Sequence, residues 1–261
     1  QIEPLKKFGV SAVPMPLNEV VPALQNGTID GAIVSGTILT AFKYYDFAKT
    51  AKSHGIKPII GLEGYYAQEL DWSDCNEGFE CSTFSVPIDY ANPADGAMLI
   101  SAIRKLATGS ALGSLVLNPG GPGGSGIEYT TYAEYVVSET LRENFDIVGF
   151  DPRGVGQSTP VECLSDAQTE EYIALDGSPD DRTEIDQAQA MSELFGQSCA
   201  ANSPDTFKFL DTVSATRDID ILRALLGDEK LNWLGKSYGT FLGATYADLF
   251  PDRVGRMLLD G

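Results

Sequence analysis

Histidine is nearly absent: the 261 residues hold one, His54. No histidine-built metal centre can be assembled from that, and the four cysteines offer no substitute. They contain no C-x-x-C pair, and His54 lies far from all of them in sequence. His54 itself stands beside Gly55 at the close of a helical pattern and reads as a solvated helix-end side chain. Cations are the second shortage. Lys and Arg number 18 against 37 Asp and Glu, a formal net charge of −19, so the clustered basic surface that nucleic acid requires is missing. Long apolar runs are the third: no stretch reaches the roughly 20 residues of a membrane span. The chain opens at Gln1 with neither a basic nor an apolar leader region, so a secretion signal is expected to be absent or already removed.

The few cysteines are placed in pairs. Cys75 and Cys81 flank a short acidic, Gly-containing loop, and Cys163 and Cys199 bracket a polar, helical-looking insertion. Two disulfides in an exported protein is the preferred reading, with four buried thiols as the alternative.

What is present centres on Gly235-Lys236-Ser237-Tyr238-Gly239, a G-x-S-x-G pentapeptide. Leu231, Trp233 and Leu234 before it read as a buried strand; Phe241, Leu242, Ala244, Tyr246, Ala247 and Leu249 after it recur at helical spacing. A strand turning sharply into a helix holds its corner residue in a strained conformation, and flanking glycines let the two elements approach closely. The Ser237 hydroxyl is thereby expected above the sheet at a helix N-terminus, where developing negative charge is favoured.

A second glycine-rich stretch, Asn118 to Gly126, follows the short apolar strand 114–117. It has neither the G-x-G-x-x-G spacing with a downstream acid nor a Gly-Lys-Ser/Thr ending, which argues against phosphate binding. A loop of this kind can instead offer a free amide to an oxyanion. Strands are expected at 83–88 (an edge strand, since Pro87 cannot pair), 97–106, 146–150 and 256–259, and helices at about 129–143 and 212–226. The last helix carries an apolar stripe of Val213, Ile219, Ile221, Leu222 and Leu225 and stops at Gly227. Asp151 and Arg153, after the strand 146–150, are candidates for chemistry, but a turn stapled by an Asp–Arg pair is favoured. Residues 164–205 are acidic and form a helical excursion. Strands alternating with helices predict an α/β fold with a mostly parallel, doubly wound sheet.

Residues 70–261 resemble, in order, the secreted tripeptidyl aminopeptidases and proline-iminopeptidase-like peptidases of the α/β-hydrolase type. The likeness rests on the W-x-x-C…C…VP-I-DY opening, LNPGGPGGSG, FDIVGFDPRGVGQSTPVEC and LNWLGKSYGTFLGATYADLFPDRVGRMLLDG. It implies Ser237 as acylating nucleophile, the amides of Tyr238 and Gly121 as oxyanion hole, and Gly120, Gly235, Gly239, Asp151 and Arg153 as supports near the site. A peptide substrate, no cofactor, and a secreted or extracytoplasmic location follow. In that family the triad Asp and His come after the strand that follows the serine. The fold is therefore expected to be truncated after that strand, with a missing C-terminal half carrying Asp, His and lid, and no efficient turnover from this chain alone.

Residues 1–66 read differently. Residues 11–37 resemble solute-binding proteins of TRAP transporters, without the carboxylate-clamping arginine; 42–67 resemble part of a polymerase-and-histidinol-phosphatase-type domain, without its metal-binding histidines. A composite segment 1–66 ahead of a hydrolase domain 67–261 is expected. The rival reading is a non-catalytic solute-binding or interaction protein, and a third is an artificial fusion without evolved function.

Overall fold

The computed structural model describes residues 61–261, all within one compact unit. The expected helix Leu17–Gln25, the turn at Asn26-Gly27, His54 and the strand Lys57–Ile60 lie outside the described residues.

Seven strands form one sheet: β1 Ser73–Asn76, β2 Phe79–Pro87, β3 Ala97–Lys105, β4 Ser114–Asn118, β5 Asp146–Phe150, β6 Leu231–Lys236 and β7 Val254–Asp260, in the order β1-β2-β3-β5-β4-β6-β7. The β1-β2-β3-β5 side is antiparallel, and β5-β4-β6-β7 is parallel. The residue pattern follows this split. β4 is buried along its whole length, and all but the first residue of β5 and the last of β6 are buried, because helices cover both faces; β3 alternates over its first half. β2 is flanked by β1 at its start but is an edge over the stretch expected to be one. β1 pairs only with its first three residues, Phe79 to Cys81, so the Pro87 end has β3 on one side and needs no partner on the other.

The first described helix, α1 (Glu63–Tyr66), is one turn long and belongs to this same unit: Tyr65 Oη donates to Pro93 O at 2.9 Å and Tyr66 Oη to Asp220 at 2.6 Å. The single helix expected over 129–143 is three pieces, α2 Gly126–Thr131, α3 Ala133–Val136 and α4 Glu139–Asn144. Ser125 starts α2 early by accepting from Glu128 N, and the chain extends at Val137 before Ser138 begins α4. α2 lies directly on β5, where a Cβ on Gly126 would overlap the Phe150 carbonyl.

The excursion is two helices, α5 Asp166–Ile173 and α6 Arg182–Asn202, each begun by a capping box, Ser165 with Gln168 and Asp181 with Glu184. Both expected disulfides are formed, Cys75–Cys81 and Cys163–Cys199. Cys199 is the one buried residue of α5 and α6 together. The arm is thus held by its cross-link and caps rather than by the core. Reducing Cys163–Cys199 is expected to raise hydrogen exchange across 164–205 while leaving β4, β5 and β6 protected. Exchange followed by mass spectrometry with and without reductant checks this, and loss of protection throughout the sheet would contradict it.

Helices α7 (Thr212–Leu225) and α8 (Tyr238–Leu249) pack on one face of the sheet. There Ile219, Ile221, Leu222, Leu242 and Tyr246 meet Val116, Val148, Phe150 and Trp233. On the opposite face Ala133, Val137 and Phe145 cover Leu115, Leu117, Ile147 and Leu234. β4 therefore splits by parity, Val116 to one layer and its neighbours to the other.

Candidate active site

The corner between β6 and α8 is built by three glycines. A Cβ on Gly235 would overlap the Gly239 carbonyl and the Trp233 indole nitrogen; one on Gly239 would lie 2.8 Å from Asn118 O. One on Gly120, in the loop after β4, would come within 2.8 Å of Tyr238 N and 2.9 Å of Ser237 Cβ. These are separations that real Cβ atoms do not tolerate, so strand, loop and helix meet here only because all three side chains are hydrogens. Gly120→Ala is expected to push the loop off the corner and to lose nearly all reactivity of Ser237 while keeping the fold. Circular dichroism and labelling by a serine-directed phosphonate measure the two sides of that prediction.

Ser237 occupies the corner at φ 52° and ψ −122°, the one positive-φ residue other than glycine among the described residues. It is exposed between half-buried neighbours. Its amide donates to Asp260 O at 2.8 Å, and its carbonyl accepts from Thr240 N at 2.9 Å and Thr240 Oγ1 at 2.7 Å. Trp233 Nε1 donates to Gly239 O at 3.0 Å across the corner, and Tyr238 Oη lies 2.8 Å from Thr212 Oγ1 at the start of α7. The backbone is thus pinned on every side, while the Ser237 hydroxyl has no protein partner among the described residues.

Two amides, one in the glycine loop and one at the start of α8, are equally unengaged. Gly120 N donates to Asn118 Oδ1 at 3.0 Å and Gly124 N to Gly120 O at 3.0 Å, whereas the amides of Gly121 and Tyr238 have no acceptor among the described residues. Tyr238 N opens the 12-residue helix α8, where the macrodipole adds to its donor strength. An unengaged serine hydroxyl and free amide donors are groups that addition to a carbonyl would use. Among the described residues no imidazole stands near Ser237, since the chain's one histidine is His54.

Asp151 and Arg153 do not pair with each other as expected. Asp151 turns toward α2, accepting from Ser125 Oγ at 2.6 Å, Ile127 N at 3.1 Å and Gln157 N at 2.8 Å. Arg153 turns the other way, into a bidentate contact with Asp218 of α7 at 2.8 and 2.6 Å, and also donates to the carbonyls of Pro87, Ile88 and Phe209. The strand ends at Phe150 and the chain is already turning at Arg153, so the two side chains are no longer held on one face. Both are buried and fully occupied, so they brace the end of β5 and do not face Ser237.

The sequence reading missed the acids that organise this brace. Asp218 and Asp220 are buried in α7. Tyr90 Oη donates to Asp218 at 2.7 Å; Tyr66, Tyr246, Arg223 and Arg253 converge on Asp220. Burial first, then the neighbouring aspartates, pushes the phenols of Tyr66, Tyr90 and Tyr246 well above their ordinary range, so they stay neutral donors. Burial likewise raises the Asp218 carboxyl, against the downward pull of Arg153 and the Tyr90 hydroxyl. The signal was available: two aspartates interleaved with Ile219 and Ile221 inside an apolar stripe have no water-facing side to occupy.

Residues 113–261 match the family model described as alpha/beta hydrolase fold. Residues 1–62 match that of bacterial extracellular solute-binding protein, family 7, one model running across most of the stretch read as two fragments. The serine protease Hip1 of Mycobacterium tuberculosis is 38% identical over 74% of this chain and 39% of its own. A tripeptidyl aminopeptidase of Streptomyces lividans is 36% identical over 73% of this chain and 38% of its own. A carboxylesterase B of Mycobacterium tuberculosis is 38% identical over 75% of this chain and 40% of its own. The chain spans about two fifths of the length of these curated relatives.

Proposed function

Since this chain belongs to the α/β-hydrolase fold family, we propose that it is the nucleophile-bearing part of a serine peptidase that cleaves short peptides from substrate N-termini. Ser237 Oγ would add to the scissile carbonyl, and the oxygen that becomes negative would be held by the amides of Tyr238 and Gly121. Expulsion of the amine leaves an acyl-enzyme, which water then hydrolyses. The observation that carries the reading is Ser237 itself. A serine held at positive φ costs about 1–3 kcal/mol, and such strain clusters where a side chain must be presented to a substrate.

A serine needs a base to take its proton. This reading assigns the base, its orienting acid and a lid to the length that the relatives have beyond the matched residues. The two disulfides and the peptidase relatives support an extracytoplasmic setting, where such cross-links persist. The test is fluorophosphonate labelling with the modified residue located by mass spectrometry. Adduct on Ser237 supports the proposal; label elsewhere, or equal label on Ser237→Ala, refutes it.

The carboxylesterase B relative favours a second reading, ester hydrolysis at the same serine. Comparing kcat/KM for a tripeptide amide and a simple aryl ester separates the two. A binding role centred on residues 1–62 would instead show as saturable affinity for a small carboxylate that Ser237→Ala leaves unchanged.

A further inference from the structure

Asn118 ends β4, pairs in register with Gly235 of the serine strand, and is only 1% exposed. Its two oxygens touch both halves of the site. Oδ1 accepts the Gly120 amide at 3.0 Å, closing a tight turn at the head of the glycine loop. The same Oδ1 and the backbone carbonyl of Asn118 form the surface on which Gly239 of the corner rests, 2.9 and 2.8 Å from where a Cβ would stand. Gly120 and Gly121 are adjacent and both at positive φ, at 92° and 114°, so either amide is a candidate donor until one is taken. Asn118 takes the first.

We propose that Asn118 is the positioning residue of this site: by holding the Gly120 amide it leaves the Gly121 amide as the loop's free donor. The proposal rests on the oxyanion reading above but needs none of its chemistry to be tested. Asn118 Nδ2 has no protein partner among the described residues, so Asn118→Asp keeps the accepting oxygen and removes no hydrogen bond. Asn118→Ala removes the acceptor.

The experiment follows Gly120 and Gly121 by nitrogen-15 NMR in the full chain, with amide exchange and pH titration. In the unaltered protein Gly120 should exchange about fivefold or more slowly than Gly121. Asn118→Ala should erase that difference. Asn118→Asp should restore it and add a new titration to the Gly120 amide resonance as the introduced carboxyl ionises, a signature that simple loosening of the loop does not produce. Equal exchange of the two glycines in the unaltered protein, or protection of Gly120 that survives Asn118→Ala, overturns the proposal. So does an Asn118→Asp protein in which neither glycine amide senses pH. Because no readout depends on Ser237, phosphonate label landing elsewhere than Ser237 would count against the proposed function and leave this assignment standing.

Discussion

Asp218→Ala is expected to lower stability by about 3–5 kcal/mol, among the largest effects of any single substitution in this unit. Asp218 is fully buried, and its removal leaves the Arg153 guanidinium charged in the core with no anion. The charge cannot be relieved by deprotonation, because arginine keeps its proton in any folded protein. Tyr90 would lose its acceptor in the same step. Removing the cation as well, in Asp218→Leu with Arg153→Met, should recover part of the loss but not all of it. The carbonyls of Pro87, Ile88 and Phe209 would still lack the donor they now have. Urea midpoints of Asp218→Leu, Arg153→Met and the double variant decide the matter. If the singles add to give the double, the pair is not coupled and this account of the β5 end is wrong.

In a full-length protein that supplies the base, Ser237→Ala is expected to abolish phosphonate labelling and any acyl transfer, a loss of about 10⁶-fold where nucleophiles of this kind have been removed. Ser237→Gly should be equally inert, yet it should unfold at a higher temperature than the serine protein. Positive φ at position 237 is strained for any side chain, at about 1–3 kcal/mol. Glycine relieves that strain at an entropic cost of about 0.4–1 kcal/mol. The net gain of about 1 kcal/mol corresponds to a rise of roughly 2–4 °C in a unit of this size. A fall in melting temperature on Ser237→Gly would mean that the corner is not strained. The opposite movements of stability and reactivity at one position are the mark of a residue kept for chemistry.

The parts of this fold that could be read from the sequence are those where local pattern and tertiary need agree. β4, β5 and β6 are short apolar runs because they are covered on both faces, and the G-x-S-x-G corner is legible because sterics leave glycine alone at its flanks. The helix expected over 129–143 begins early, at Gly126, which must sit against Phe150, and nothing near 126 in sequence announces that contact. Asp151 and Arg153 were identified as a pair because they are neighbours, but their partners come from α2 and α7, and Asp218 is 65 residues from Arg153. At the candidate site the strand-to-helix corner at Ser237 was legible, and so was the glycine loop. The role of Asn118 was not, since an asparagine before a proline reads as a turn residue whatever its side chain holds.

The pairing of β4 with β6 also sets an order in time. Asn232 Nδ2 donates to Ser114 O across 118 residues of sequence, so the two halves of the site are the neighbours in this sheet that lie furthest apart along the chain. At about 5–20 residues per second, the glycine loop leaves the ribosome on the order of ten seconds before the Ser237 corner exists. β5 arrives early and covers one side of β4, whereas the other side waits for β6 through the entire acidic excursion. A growing chain therefore carries a bare apolar strand edge for that interval, and non-local pairing of this kind is slow even after release. The acidic helices made during the wait add negative charge to the nascent chain while that edge is still open.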